Sequence, residues 1–599
     1  MADLDQLQAR PDLEGQFGMS ASTHWVASGV AQSVLERQGN AFDAATAAAF
    51  VLHVVEPHLN GPGGDMVALV APAGQHVRVL CGQGPAPAAA SIERFRSEGL
   101  DSVPGSGALA AAVPGAVEAW LLLLEEHGTW DLGDVLAYAI SYARAGVPIL
   151  APAAAAIAAV EDLFTSSWTS SAALWMPEGR PPVAGEVVAN PAYAATLQRL
   201  LDDAVTRVGP WADRRAVISA ARRVWSSGFV AEAIGRFVAD EPHLHSSGST
   251  HHGVLTGSDM TRFTPHFESP VSIDFRGHRV FKAGAWSQGP VLLQALRILD
   301  GFSDPELDLN TGQGIHTVTE AMKLAMADRE AFYGDGMQYR DLELLLSREY
   351  ASGRRRLITD EASLAFRPGD AADLPAPFLP PLAVADADDT SYAVGEPTVR
   401  MTGAVRGDTC HIDVVDQWGN AISATPSGGW LQSSPTIPEL GFCLGTRLQM
   451  SHLDDTSPSA VRPGTRPRTT LSPTLVQHGS VQVAMGTPGG DQQDQWQLAF
   501  LLRTIVGGRT LQQGIEAPMF HTTSFPSSFW PRTWEPGGLA IEDRVGAPVL
   551  ADLRERGHVV TRAGDWSLGR LSAVSRDEAT GRMRAAANPR GAQGYAVGR

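Results

Sequence analysis

Gly407-Asp408-Thr409-Cys410-His411-Ile412-Asp413-Val414-Val415-Asp416 is the stretch whose reading decides the fold. Thr409 opens a run that is apolar and β-branched from Ile412 to Val415 except for Asp413. Gln417-Trp418-Gly419-Asn420 then forms a turn and Ala421-Ile422-Ser423-Ala424-Thr425 alternates, so the segment predicts a β-hairpin with a threonine just before its first strand. A hydroxyl is a poor nucleophile at neutral pH. If the chain is cut before Thr409, the free α-amine of the same residue, with a pKa near ~7.7–8.0, can take the hydroxyl proton. One cleavage then creates the whole catalytic unit. The ordinary alternative is a Thr409 that serves only as a strand residue, with Cys410 and His411 filling space.

The hairpin DTCHIDVVDQWGNAISAT (408–425) resembles the start of the small subunit of γ-glutamyltranspeptidases, members of the N-terminal nucleophile hydrolases, where Thr-Thr-His precedes a Val-Val-Asp hairpin. Other blocks follow in that family's order. GNAFDAATAAAFVLHVVEPHLNGPGGD (39–65) is similar to its N-terminal helix and glycine turn, AAVPGAVEAW (111–120) to its Pro-Gly segment, and HTVTEAMKLAMADREAFYGD (316–335) to its large-subunit helix. RPRTTLSPTLV (466–476) and GTPGGDQQDQW (486–496) resemble its two small-subunit site motifs. The resemblance implies a mixed α/β (α+β) fold, a four-layer αββα sandwich in which both fragments supply strands. It also implies self-cleavage into a large fragment, 1–408, and a small one, 409–599, that stay associated as a heterodimer and can assemble further into a homo-oligomer.

Composition is compatible with such an enzyme. The chain has 599 residues, 44% of them hydrophobic and 19% charged, which is ordinary for a globular protein. A formal charge of −19 argues against nucleic-acid binding, which needs basic surface to neutralise phosphates. No apolar run is long enough for a membrane span. The acidic start MADLDQLQARPDLEG lacks a basic region followed by an apolar core, and Cys81, Cys410 and Cys443 are sparse and show no metal-ligand spacing, so the expected location is cytoplasmic. The chemistry calls for no cofactor or metal.

Asn40 and Asp43 stand at capping-box positions ahead of a helix that runs to Glu56 with apolar residues on every face, stopped by Pro57. Gly61-Pro62-Gly63-Gly64 then turns into a short strand, Met66 to Val70. The alanine-rich tract 108–160 predicts packed helices broken at Pro114, Pro148 and Pro152. DEPHLHSSGSTHHG gathers four histidines; with serine and glycine between them, a solvated loop is expected rather than a metal tract. Residues 367–408, rich in Pro, Ala and Asp, predict a linker leading to the cleavage site between Asp408 and Thr409.

The alternating strand Val481 to Met485 runs into Gly486-Thr487-Pro488-Gly489-Gly490, and Asp491 caps a helix expected over 492–506. Such a strand, glycine turn and helix N-terminus offer backbone N–H groups to an anion; a plain turn or a phosphate cradle would look similar. The family resemblance makes Gly489 and Gly490 the oxyanion hole, puts Thr469 and Thr470 where the family has two serines, and gives Ser427 the place of a second threonine that hydrogen-bonds the nucleophile. The glutamate pocket departs from the family. Its carboxylate-gripping arginine aligns with Gln83 or a glycine in Cys81–Pro87, its asparagine becomes Gly429, and its Asn-Asn-x-Met-Asp-Asp segment becomes Gly445–Met450 with a positive Arg447. A site without partners for a zwitterion rejects it.

The variant motifs WSQGPVLLQAL (286–296), GTRLQM (445–450) and PRTTLSPTL (467–475) resemble a branch of the family that includes oxamate amidohydrolase. The expected partner is therefore a small amide bearing a carboxylate, which the two-pronged guanidinium of Arg447 would grip. An ion pair bridging the two fragments is the ordinary role for one arginine. Other readings stand beside this one. They are a true γ-glutamyl transferase or glutathione hydrolase, a non-catalytic pseudoenzyme, and an α/β-hydrolase built on Ser287, because Ala285-Trp286-Ser287-Gln288-Gly289 approaches the Gly-x-Ser-x-Gly elbow. Hydrolysis and transfer to an amine acceptor both remain open.

Overall fold

Residues 8–370, 373–384, 398–399, 405–406, 409–592 and 594–599 are described by a computed structural model. Asp408 and much of the expected linker lie outside the described residues.

The predicted hairpin forms, with Ile412–Asp416 pairing antiparallel to Ala421–Ser427. It is the centre of a seven-stranded sheet whose order is Tyr595–Gly598, Gly18–Ser22, Ile412–Asp416, Ala421–Ser427, Asp65–Ala71, Arg78–Gly82 and His266–Glu268. A second seven-stranded sheet runs Leu13–Gly15, Met583–Ala587, Ser572–Asp577, Val481–Gly486, Thr474–His478, His278–Lys282 and Val271–Phe275. Every neighbouring pair in both sheets is antiparallel. Each sheet takes strands from both sides of Thr409.

Three apolar clusters account for four layers. Period-two alternation sends Met66, Ala68, Ile412, Val414 and Ile422 to one face of the first sheet, where Phe42, Phe50 and Trp120 of the covering helices meet them. The alternate residues, Val67, Leu69 and Val415, point inward and pack on Leu475, Ala484 and Val574 of the second sheet. Val280, Val476 and Met485 face the other way, against Leu292 and Leu296 of the helix Pro290–Leu299 and against Phe500 of Gln493–Leu501. These are buried side chains, each stabilising by roughly 1.5–3 kcal/mol. Strands covered on both faces read as continuous apolar runs, which is why alternation alone did not reveal the architecture.

Local signals place the helices. The Asn40 side chain accepts from Phe42 and Asp43 N–H while Asp43 answers to the Asn40 N–H, so the capping box opens the helix Ala41–Val55. The strand expected at Met66–Val70 spans Asp65–Ala71. Two expectations need correction. Pro152 does not break the alanine tract; it occupies the first turn of Ala151–Ala159, where its missing N–H costs nothing. The histidine-rich segment is a hairpin, His243–Leu244 on Thr250–His251, and it buries His245 and His251. His245 Nε2 accepts from the Leu109 N–H at 3.0 Å, so packing takes in these two rings while the rest of the stretch stays largely exposed, as expected of a solvated segment. The helix expected over 492–506 is α-helical over Gln493–Leu501 and π-helical over Leu502–Val506. Among the described residues no helix is long and apolar enough to cross a membrane.

Candidate active site

Thr409 sits at the head of a central strand, buried, in an isolated antiparallel bridge with Ser427. Its Oγ1 lies 3.2 Å from Ser427 Oγ and 3.3 Å from the Gly489 carbonyl oxygen. The hairpin thus brings Ser427 beside Thr409, and the second sheet delivers the glycine turn that follows Val481–Gly486. Behind the threonine, His411 bonds Thr425 Oγ1 at 2.9 Å through Nδ1 and Asp413 Oδ1 at 2.8 Å through Nε2. Asp413 also accepts from Ser572 Oγ of the second sheet at 2.8 Å. Asp413, held by His411, therefore stitches the two sheets, and His411 does not fill space alone.

The glycine turn is tightly built. Gly489 has φ +117°, a conformation that suits glycine, and a β-carbon on Gly490 would drive into the Phe529 ring. Gln493 Nε2 donates to the Gly489 carbonyl, and that carbonyl faces Thr409. In a planar trans peptide the Gly490 N–H then points to the other side. The turn meets the threonine hydroxyl with an acceptor, where the sequence predicted donors.

A buried ionic cluster backs the turn. Arg329 pairs with Asp491 and with Glu330 at 2.8 Å, and Arg468 pairs with Glu330 at 2.7 Å. Asp491 accepts from Ser528 N at 2.8 Å and Ser528 Oγ at 2.6 Å. Burial pushes the Glu330 carboxyl up, but Arg468 and Arg329 outweigh it and hold that carboxyl well below the usual carboxylate range. Of these charges the sequence singled out Asp491, as a helix cap; Gln492 holds the cap position instead, without a side-chain cap bond, and the Asp491 carboxylate turns to Arg329 and Ser528. The signal for Arg329 and Glu330 was the three consecutive charges Asp328-Arg329-Glu330 directly after the apolar run Leu324-Ala325-Met326-Ala327.

The remaining predicted residues fall as follows. Thr469 is bridged to the 286–288 segment, its N–H donating to Trp286 O at 3.0 Å, and its Oγ1 accepts from Leu471 N at 3.3 Å. Thr470 is buried. Gln83 is buried too, but its Nε2 turns back to Gly84 O at 3.3 Å. Arg447 departs from the expected contact. Its two-pronged face is taken by Asp65, Nε to Oδ2 at 2.7 Å and Nη2 to Oδ1 at 2.8 Å, so it forms the bridging ion pair between the 3-10 turn Arg447–Met450 and the strand Asp65–Ala71, on either side of Thr409. The third nitrogen, Nη1, lies 3.6 Å from the Met450 sulfur. Asp65, Arg447, Val113, Trp430 and Met450 line a cavity of about 10 Å³, which begins at Gly428 beside Ser427. That is room for about one water.

Ser287 offers no rival nucleophile. It is fully buried, donates to Gly284 O at 2.9 Å and accepts from Gly289 N at 3.1 Å, as the brace of a turn between antiparallel sheets. Two clusters of metal-ligating side chains occur among the described residues, Cys81–His266–Glu268 and His316–Glu320–His558. In each a protein cation already occupies the carboxylate, Arg466 on Glu268 and Lys323 with Arg367 on Glu320.

Two stacked antiparallel sheets between helical layers, with a threonine heading a central strand against a glycine turn, define an N-terminal nucleophile hydrolase fold. The chain belongs to the gamma-glutamyltranspeptidase family, whose profile matches residues 27–598, and it is an enzyme of that amidohydrolase and acyltransferase group. It is 30% identical over 594 residues to the glutathione hydrolase-like YwrD proenzyme of Bacillus subtilis, covering 98% of this chain and 99% of that one. It is 28% identical over 596 residues to the oxamate amidohydrolase proenzyme of Klebsiella pneumoniae, covering 97% and 98%. The solved structure of LmbA2991HD is 50% identical, superposes with a TM-score of 0.92, and is matched over 99% of this chain and 100% of that one.

Proposed function

We propose that this chain is a proenzyme that cuts itself between Asp408 and Thr409, and that the mature protein hydrolyses a small, carboxylate-bearing amide through an acyl-enzyme on Thr409. The observation that carries this is the position of the Thr409 hydroxyl, buried at a strand head between Ser427 Oγ and the Gly489 carbonyl. In self-cleavage the hydroxyl oxygen attacks the Asp408 carbonyl and the peptide C–N bond breaks as its nitrogen takes the proton. Water then hydrolyses the ester, leaving Asp408 as a carboxylate and Thr409 with a free α-amine. The same amine then serves as base toward substrate. Rotation of the peptide between Gly489 and Gly490, which neither residue opposes with a side chain, would turn an N–H toward the oxyanion. Fragments 1–408 and 409–599 would stay together, because both sheets interleave their strands.

An oxamate-like substrate is favoured by the Arg447 Nη1 donor at the cavity and by the loss of the family's carboxylate-gripping arginine, with Gln83 donating to the Gly84 carbonyl. The oxamate amidohydrolase relative supports the same choice. A second reading has its own observation. Asp65 brings a carboxylate to the cavity that Arg447 also lines, so both signs needed by an amino-acid zwitterion are present and a γ-glutamyl donor is the competing substrate. Purified cleaved protein assayed with oxamate and with γ-glutamyl-p-nitroanilide separates the two. Ammonia release from oxamate is the expected result, and turnover of the anilide alone would replace it with the transpeptidase reading.

A further inference from the structure

Gln288 joins more parts of this site than any residue selected from the sequence. It is completely buried at the start of the helix Pro290–Leu299, and all three of its polar arms outside its own carbonyl are used. Its backbone N–H donates to Thr469 O at 2.8 Å. Its Nε2 donates to Gly490 O at 3.2 Å, and its Oε1 accepts from Arg329 Nη1 at 2.7 Å. The same Arg329 pairs with Asp491, the residue directly after Gly490. One side chain therefore ties the glycine turn, the Thr469–Thr470 segment and the ionic cluster together. The turn and the threonine pair lie after Thr409, whereas Gln288 and Arg329 lie before it.

Resting on the proposed function above, we infer that Gln288 is a positioning residue for acyl transfer, an amide clamp from the large fragment that sets the Gly489–Gly490 turn against Thr409. The geometry gives the clamp a specific effect. With the Gly490 carbonyl held by Gln288 and the Asp491 carboxylate held by Arg329, the peptide between Gly490 and Asp491 is fixed at both ends. The peptide between Gly489 and Gly490 is tied through its carbonyl to Gln493 Nε2 and the Thr409 hydroxyl, and on giving up those bonds it can rotate without dragging the helix that follows. An amide is needed for this task because it donates toward a carbonyl and accepts from a guanidinium at once. A carboxylate in its place would satisfy Arg329 and repel the Gly490 carbonyl. An apolar side chain would satisfy neither.

The test uses the full-length chain and reads self-cleavage, which needs no added substrate. Gln288→Glu keeps the partner of Arg329 and removes the donor to Gly490; Gln288→Met removes both. Leu296→Ala, in the same helix and buried away from the turn, serves as a control for lost stability. Cleavage is followed by intact mass at a temperature well below the lowest Tm in the set. The expected result is a first-order cleavage constant about 10- to 100-fold below the parent for Gln288→Glu, with Leu296→Ala cleaving at the parental rate per folded molecule. In the matured protein, kcat for oxamate should fall by a similar factor with KM within about threefold of the parent. Gln288→Glu cleaving as fast as the parent, or slowing only as far as Leu296→Ala does, would overturn the assignment. A parent chain that never cleaves would remove the proposed function beneath it and the clamp with it, which distinguishes that failure from a clamp without effect.

Discussion

The carboxylate of Asp65 and the guanidinium of Arg447 meet through two parallel hydrogen bonds, 2.7 and 2.8 Å, although 382 residues separate them in the chain. Both are buried, so neither charge has water to fall back on. Removing one partner of a buried pair leaves the other uncompensated, at a cost of about 3–5 kcal/mol. Arg447→Ala is therefore expected to lose stability of that order in urea melts. Asp65→Asn combined with Arg447→Met, which removes both charges, should recover much of it. A single variant as stable as the parent would mean that the pair is solvated in solution.

The Ser427 hydroxyl is the nearest side-chain partner of Thr409. A hydrogen bond between neutral groups is worth about 1 kcal/mol net, so Ser427→Ala should slow self-cleavage by roughly fivefold. Ser427→Thr, which keeps the oxygen, should stay near the parental rate. Time courses on denaturing gels are sufficient to see both, and equal rates for the alanine and threonine variants would remove Ser427 from the site.

Gly490→Ala pushes a methyl group into the Phe529 ring. Displacing the turn should cost at least about 100-fold in turnover, the scale of losing an oxyanion donor, with the melting temperature little changed if Phe529 can swing away. Pairing it with Phe529→Leu, which opens space, should restore part of the rate. No recovery in the double variant would show that the glycine is needed for its backbone and not for its size.

Acid should unfold this protein early. Burial lowers the pKa of His24, His53, His58 and His558 from 6.5 to about 3, and lowers that of His245, His452 and His521 to about 4. Between these values and 6.5 the unfolded chain holds protons that the folded chain does not. Stability therefore falls as pH falls through that window, by up to about 1.4 kcal/mol per pH unit for each histidine. Thermal melts should show a plateau at pH 7 and above and a steep decline from pH 6 to 5. A flat Tm across that range would contradict the burial of these rings.

What the sequence made legible was local. The Asn40–Asp43 cap, the Ile412–Ser427 hairpin and the strand into Gly489–Gly490 each carry their signal within a short continuous segment, and each forms where expected. The identity of Thr409 as the residue at the strand head followed from the same hairpin. What stayed hidden depends on partners far apart in the chain. Arg447 read as a substrate ligand through the oxamate-branch resemblance, with a fragment-bridging ion pair as its ordinary role; nothing local pointed to Asp65, in the same quoted block as the Gly63-Gly64 turn, as the partner. Gln288 read as part of a serine elbow, since the pattern around Ser287 is local and the Gly490 carbonyl that it serves is 202 residues away. The burial of His245 and His251, in a hairpin otherwise largely exposed, was missed for a related reason: their partners, Leu109 and Glu98, lie far off in the chain.

The central claim is that Thr409 becomes an N-terminal nucleophile, and intact-mass spectrometry of freshly purified protein beside a Thr409→Ala variant tests it most directly. The account predicts two fragments from the parent, broken between Asp408 and Thr409, and one uncut chain from the variant. A parent that stays whole, or a variant that is cut at the same bond, would contradict it.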